Sequence, residues 1–162
     1  MPKTLLNIPK YQDAMRYIIS SLGEVRGKKK MYKLLYFLDF DFFEAYEKSF
    51  TGETYKKLEM GPAPVYFESV LSATEDIKVQ HIRMSPYHEN DTWIFKTSSD
   101  DNPQFSEEER KMLDRVVKKY GSMTGKQLEN LSHAEAPWNA VDYNELIPYE
   151  YSIFRDSQDL LT

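Results

Sequence analysis

The chain has 162 residues, 41% hydrophobic and 14% aromatic, which suits one domain burying roughly 70% of its unfolded surface. Cysteine is absent, which excludes disulfides, thiolate metal sites and a cysteine nucleophile, and no apolar run approaches the ~20 residues of a membrane span. The net charge of −5 divides into a mildly basic stretch up to residue 60 (11 Lys/Arg, 8 Asp/Glu) and an acidic remainder (10 against 18), which argues against general nucleic-acid binding.

The N-terminus MPKTLLNIPK has no signal-peptide core, so a soluble cytoplasmic protein is expected. A first helix is predicted over 10–22, where Tyr11, Ala14, Met15, Ile18, Ile19 and Leu22 repeat at helical spacing and Gly23 follows. A second is predicted over 28–46. Met31, Leu34, Leu35, Leu38, Phe42 and Ala45 keep the period, and Tyr36, Phe37, Phe40 and Phe43 widen the apolar stripe around most of the circumference. Such a helix is expected to be the central one.

Gly61-Pro62-Ala63-Pro64 reads as a stiff connector, and 65–73 as a short helix with Val65, Tyr66, Ser69 and Val70 inward. IKVQHIRM (77–84) and TWIFKT (92–97) are strand-like, joined by the turn-rich SPYHEND into a hairpin. After a break at 100–103, Ser106 with Glu109 and Thr124 with Gln127 are capping boxes. The first opens a helix reaching Tyr120, with Met112, Val116 and Val117 inward; the second opens one ending near Ser132. The tail carries a turn near 141–146 and an extended or helical piece near 149–154. The fold expected is mainly α, a single helical domain over 1–162 with its core at about 10–154, plus a small antiparallel β-hairpin.

Few residue patterns carry chemistry. His133-Ala134-Glu135 matches the His-x-Glu of zinc deaminases but lacks their cysteines. The histidines 81, 88 and 133 have no His-x-x-x-His spacing, so no metal is expected. Asp39 and Asp41 point to different sides of their helix and would need a partner from elsewhere to serve in acid–base catalysis. A small hydrolase or transferase would use His133 with Asp39, Asp41 or Glu135; no nucleophile elbow or phosphate loop accompanies them. Arg26-Gly27-Lys28-Lys29-Lys30, extended by Lys33, places cations against a helix dipole, either as a solvated turn or as a contact for an acidic partner, phosphate or nucleic acid, the last making the chain a DNA-binding regulator. Trp138 reads as an interface anchor or as a ring that closes the core with His133 beside it.

In order along the chain stand Lys33-Leu34-Leu35-Tyr36-Phe37-Leu38-Asp39-Phe40, Thr51-Gly52-Glu53-Thr54-Tyr55, Gly61-Pro62 with Val65-Tyr66, Tyr120-Gly121, Leu128, Leu131, Ser132-His133 and Trp138. This series resembles the Panacea domain of the antitoxin SocA-like family, over about 11–154. The resemblance implies an antitoxin or related regulator that neutralises a toxin encoded by an adjacent gene, often on a prophage or other mobile element. It implies no catalytic residue, metal or cofactor. Its recurrent positions here (Leu34, Leu35, Phe37, Gly52, Gly61, Pro62, Tyr66, Ser132, His133 and Trp138) have the residue types of a structural core, with a rim open to a partner. Direct masking of the toxin is one expectation and delivery of the toxin to a protease is another; tyrosine-rich patches would also serve a homo-oligomer.

Overall fold

In the computed structural model, which describes residues 5–83, 92–99, 103–156 and 160, α1 spans Ile8–Leu22. Asn7 caps it by accepting from the Lys10 N–H, and Pro9 sits where the helix needs no donor. Its stripe of Tyr11, Ala14, Met15, Ile18 and Ile19 is buried as the periodicity predicts. Helix α2, Lys28–Tyr46, is buried at every position from Lys33 to Phe42. It packs against α4 (Glu107–Tyr120), α5 (Gly125–His133) and a 3-10 helix at Tyr149–Phe154. Both predicted capping boxes are formed. A short α6, Ala136–Asn139, follows α5. The chain is mainly α with two small antiparallel sheets. No helix among the described residues is long and apolar enough to cross a membrane.

The expected hairpin is β4 (Ile77–Ile82) against β5 (Thr92–Thr97), but β5 also pairs with a two-residue β1 (Val25–Arg26), giving the order β1-β5-β4. The turn expected over 85–91, which includes His88, lies outside the described residues, as does the break at 100–102. The connector reading of 61–64 is corrected. Gly61–Pro64 is a strand, β3, paired with β2 (Tyr55–Leu58). Two prolines are tolerated there because the backbone alternates. Val65 donates to the Thr54 carbonyl, so odd positions face β2 and the missing N–H groups of Pro62 and Pro64 face the opposite edge.

This strand also shifts the next helix. Helix α3 begins at Phe67 and ends at Ser72, and it buries Phe67 and Val70, whereas Val65, Tyr66 and Ser69 are exposed. On α4 the inward set is Met112, Leu113, Val116 and Tyr120, with Val117 only partly covered, because Tyr120 stacks on Phe37 and rotates the buried stripe towards α2.

The apolar circumference of α2 is interrupted by two carboxylates. Asp39 accepts from the Thr51 N–H at 2.7 Å, the Thr51 hydroxyl at 2.7 Å and the Tyr55 hydroxyl at 2.6 Å. Beside it, Glu53 accepts from the Tyr11 hydroxyl and from the Thr54 and Tyr66 N–H groups. Gly52 lies between them at φ +79°, and a Cβ there would sit 2.0 Å from the Leu5 carbonyl oxygen, so only glycine lets the chain ahead of α1 cross this turn. Burial raises the Asp39 carboxyl from its ordinary 3.8 to about 6, against the pull of its hydrogen bonds.

Asp41, on another side of α2, meets Arg115 at 2.6 Å and Arg155 at 2.8 Å, and the Tyr120 hydroxyl donates to it. Arg155 also grips Glu135 through Nε at 3.0 Å and Nη2 at 2.9 Å, and the Tyr36 hydroxyl donates to Glu135. Burial works against the Arg155 charge, but the flanking Asp41 and Glu135 hold its pKa above the usual guanidinium range. One guanidinium thus fastens the C-terminal segment to α2 and to the α5–α6 link.

Removing Arg155 leaves the largely buried Glu135 without its cation and leaves Asp41 to Arg115 alone. Arg155→Met is expected to lower stability by ~3–5 kcal/mol in urea titration, and Arg155→Lys to recover only part of this, because an ammonium lacks the planar fork. Asp39→Asn, which keeps one acceptor oxygen where three bonds arrive, is expected to cost ~1–3 kcal/mol. The folded state favours protonated Asp39, so this carboxyl's contribution is full below 3.8 and is lost as the pH rises through about 6. The Asp39→Asn deficit is therefore largest near pH 4 and shrinks by pH 7; equal deficits at the two pH values would refute the shift.

Candidate functional site

Five of the ten recurrent positions, Gly61, Pro62, Ser132, His133 and Trp138, fall in one corner where β3, α5 and α6 meet the flank of α2. Lys33 is the side chain that joins them. It is 2% exposed, and its ammonium donates to the Pro62 carbonyl at 3.1 Å. Gly61 is at φ +114°, and a Cβ there would lie 2.2 Å from Lys33 Cε and 3.0 Å from Ser132 Oγ. Ser132 donates to the Glu129 carbonyl within α5. The Gly-Pro pair is therefore a seat for a buried lysine stem, a role that 61–64 as a mere connector would not have.

His133, the last residue of α5, stacks on Trp138 with centroids 4.5 Å apart. Its Nε2 is buried without a hydrogen-bond partner among the described residues. Burial, with Lys33 nearby, holds the imidazole below its ordinary pKa although Glu129 pulls the other way. Trp138 is 4% exposed, and its other neighbour is Lys57. The Lys57 ammonium sits 4.6 Å from the indole centroid and donates to the Trp138 and Val141 carbonyls at 2.9 and 3.0 Å. Lys57 closes this corner, and no motif or spacing in the sequence marked it.

The remaining recurrent positions lie elsewhere. Leu34, Leu35 and Phe37 are in the core on α2, Gly52 is in the Asp39 turn, and Tyr66 is 44% exposed, with its backbone N–H held by Glu53. The acid–base pairings considered for His133 are not assembled: Asp39 is bound to Thr51 and Tyr55, and Asp41 and Glu135 to arginines. His81 stacks on Trp93 on the three-stranded sheet. Among the described residues, no group of three His, Asp or Glu is placed to hold a metal ion.

The basic cluster at the start of α2 is largely spent within the fold. Arg26 pairs with Glu24, Lys28 with Glu68 and Lys29 with Glu129, and Lys30 donates to the Gly121 carbonyl. A duplex-binding face needs cations free to displace counterions, and these have local anions or acceptors instead.

The Gly61–Lys33 contact is open to a double-mutant cycle. Gly61→Ala is expected to cost at least ~2 kcal/mol by chemical denaturation, from positive φ and from the clash with the lysine stem. In a Lys33→Ala background the same change should cost ~1 kcal/mol less, and strict additivity would deny the contact.

No curated protein and no solved structure matches the chain. The family model for the antitoxin SocA-like, Panacea domain matches residues 31–139, from the first turn of α2 to the end of α6, which takes in the Lys33 corner and all ten recurrent positions. The chain belongs to the antitoxin SocA-like, Panacea domain family.

Proposed function

We propose that this chain is a cytoplasmic antitoxin that neutralises a cognate protein toxin by binding it directly and covering its active surface, with no chemical step of its own. The family match over residues 31–139 carries the reading. The engagement of His133, Asp39, Asp41 and Glu135 in internal contacts fits it, since these polar residues serve the fold. Recognition then falls to the surface, where Tyr143 (60% exposed) and Tyr66 offer broad contact area at small entropic cost. The toxin is assigned to the adjacent gene, in a prophage or other mobile element.

Co-expression tests this. The neighbouring gene's product is expected to arrest growth alone, to be tolerated with this chain present, and to co-purify with it. Absence of both rescue and co-purification would sink the reading. Direct covering further predicts that rescue persists in cells lacking the major cytoplasmic proteases; loss of rescue there, with a toxin half-life that depends on this chain, identifies a proteolytic adaptor instead.

A further inference from the structure

Between the first turns of α2 and the β2–β3 turn lies a cleft of about 320 Å³. Its apolar lining is Tyr32, Leu58, Met60 and Ala63, of which Leu58 and Met60 are 40% and 58% exposed. Lys33 and Gly61, both buried, line its inner part. A lysine buried in the wall of an apolar cleft is chemically unusual. The other two lysines at the cleft, Lys28 and Lys29, are neutralised by Glu68 and Glu129. Lys33 has no carboxylate at ion-pair distance among the described residues, and its three N–H bonds meet a single acceptor, the Pro62 carbonyl.

We propose that this cleft receives a segment of the protein partner that presents a large apolar side chain beside an Asp or Glu. The apolar group lies against Tyr32, Leu58 and Met60, and the carboxylate reaches the Lys33 ammonium. The inference rests on the reading that the partner is a protein. Charge complementarity selects the acidic residue: an uncharged segment covering the cleft would desolvate Lys33 further and return nothing, whereas a carboxylate supplies the missing counter-ion.

Proton uptake follows from the surroundings of Lys33. Burial lowers its pKa to about 7, Glu129 opposes this and Lys29 adds to it. The charged and titratable groups around it are Lys28 and Lys29 on α2, Glu129 and His133 on α5, and Glu59 in the β2–β3 turn. Above pH 7 the free amine is mostly neutral, so a carboxylate binds together with a proton.

The full chain, labelled at its methionine methyl groups, is titrated with octanoate and with octanol at pH 6 and pH 8 and followed by NMR. Octanoate is expected to shift the Met60 methyl and to bind about tenfold more weakly at pH 8, octanol to show no such difference, and Lys33→Met to abolish the pH dependence. In co-purification with the toxin, Met60→Asp, at an exposed and fold-neutral position, is expected to reduce retention at least tenfold. The control Ile153→Ser, 79% exposed on the C-terminal 3-10 helix, is expected to leave it unchanged. Absence of an octanoate shift at Met60, a pH effect that survives Lys33→Met, or full retention of the toxin by Met60→Asp would each overturn the proposal. So would self-association abolished by Met60→Asp, which would assign the cleft to a second copy of the chain. If the unmodified chain fails to retain the toxin, the toxin reading falls and the octanoate titration alone decides the cleft.

Discussion

A helix covered on every side must match each charge it carries with a partner brought from elsewhere in the chain. Helix α2 carries three such groups in the stretch Lys33–Asp41, and each is met by a different part of the chain. The 51–55 turn wraps Asp39, α4 and the C-terminal segment supply arginines to Asp41, and β3 offers a carbonyl to Lys33. Each lies on a different side of the helix. Together they fix its rotation and its depth more narrowly than Leu and Phe packing could, because apolar contacts tolerate small slips and buried ions do not.

The imbalance of charge along the sequence takes on a different meaning in three dimensions. Lys10 pairs with Glu109, Arg16 with Asp76, Lys28 with Glu68 and Lys29 with Glu129. The basic front meets the acidic rear inside one fold, so much of what resembles polarity in the sequence is cross-bracing between distant segments. Individually these partly exposed pairs contribute little. They do remove cations from the surface that a nucleic acid would require.

What could be read from the sequence was local. The stripe of α1, the extent of α2 and the two capping boxes depend on residues three or four apart, and the structure has them where the spacing puts them. What escaped was set by distant partners. Strand β1 exists because β5 is beside it, and β3 because β2 is; Pro62 and Pro64 concealed it until the direction of their missing N–H groups was known. Arg155 stands alone and Lys57 beside Lys56 in unpatterned stretches, and only the carboxylates and carbonyls facing them give them a role. Lys33 is one lysine of a cluster, and helical phase sets Lys29 and Lys30 on its side of α2, so spacing alone did not single it out. The recurrent Gly61, Pro62, Ser132, His133 and Trp138 looked structural by type, and they assemble around that lysine.

Arg155 stands more than a hundred residues after Asp41 and beyond the family-matched span. During synthesis the chain therefore displays α2, and even its α4 and α5 neighbours, before the guanidinium that joins Glu135 to Asp41 has been made. Arg115 on α4 is by then available to Asp41, but Glu135 stays protonated or hydrated until Arg155 arrives, and that side of α2 lacks its C-terminal cover. Closure of the core thus acts as a completeness check on each nascent molecule: only a chain translated past Arg155 acquires the lifetime of a folded protein.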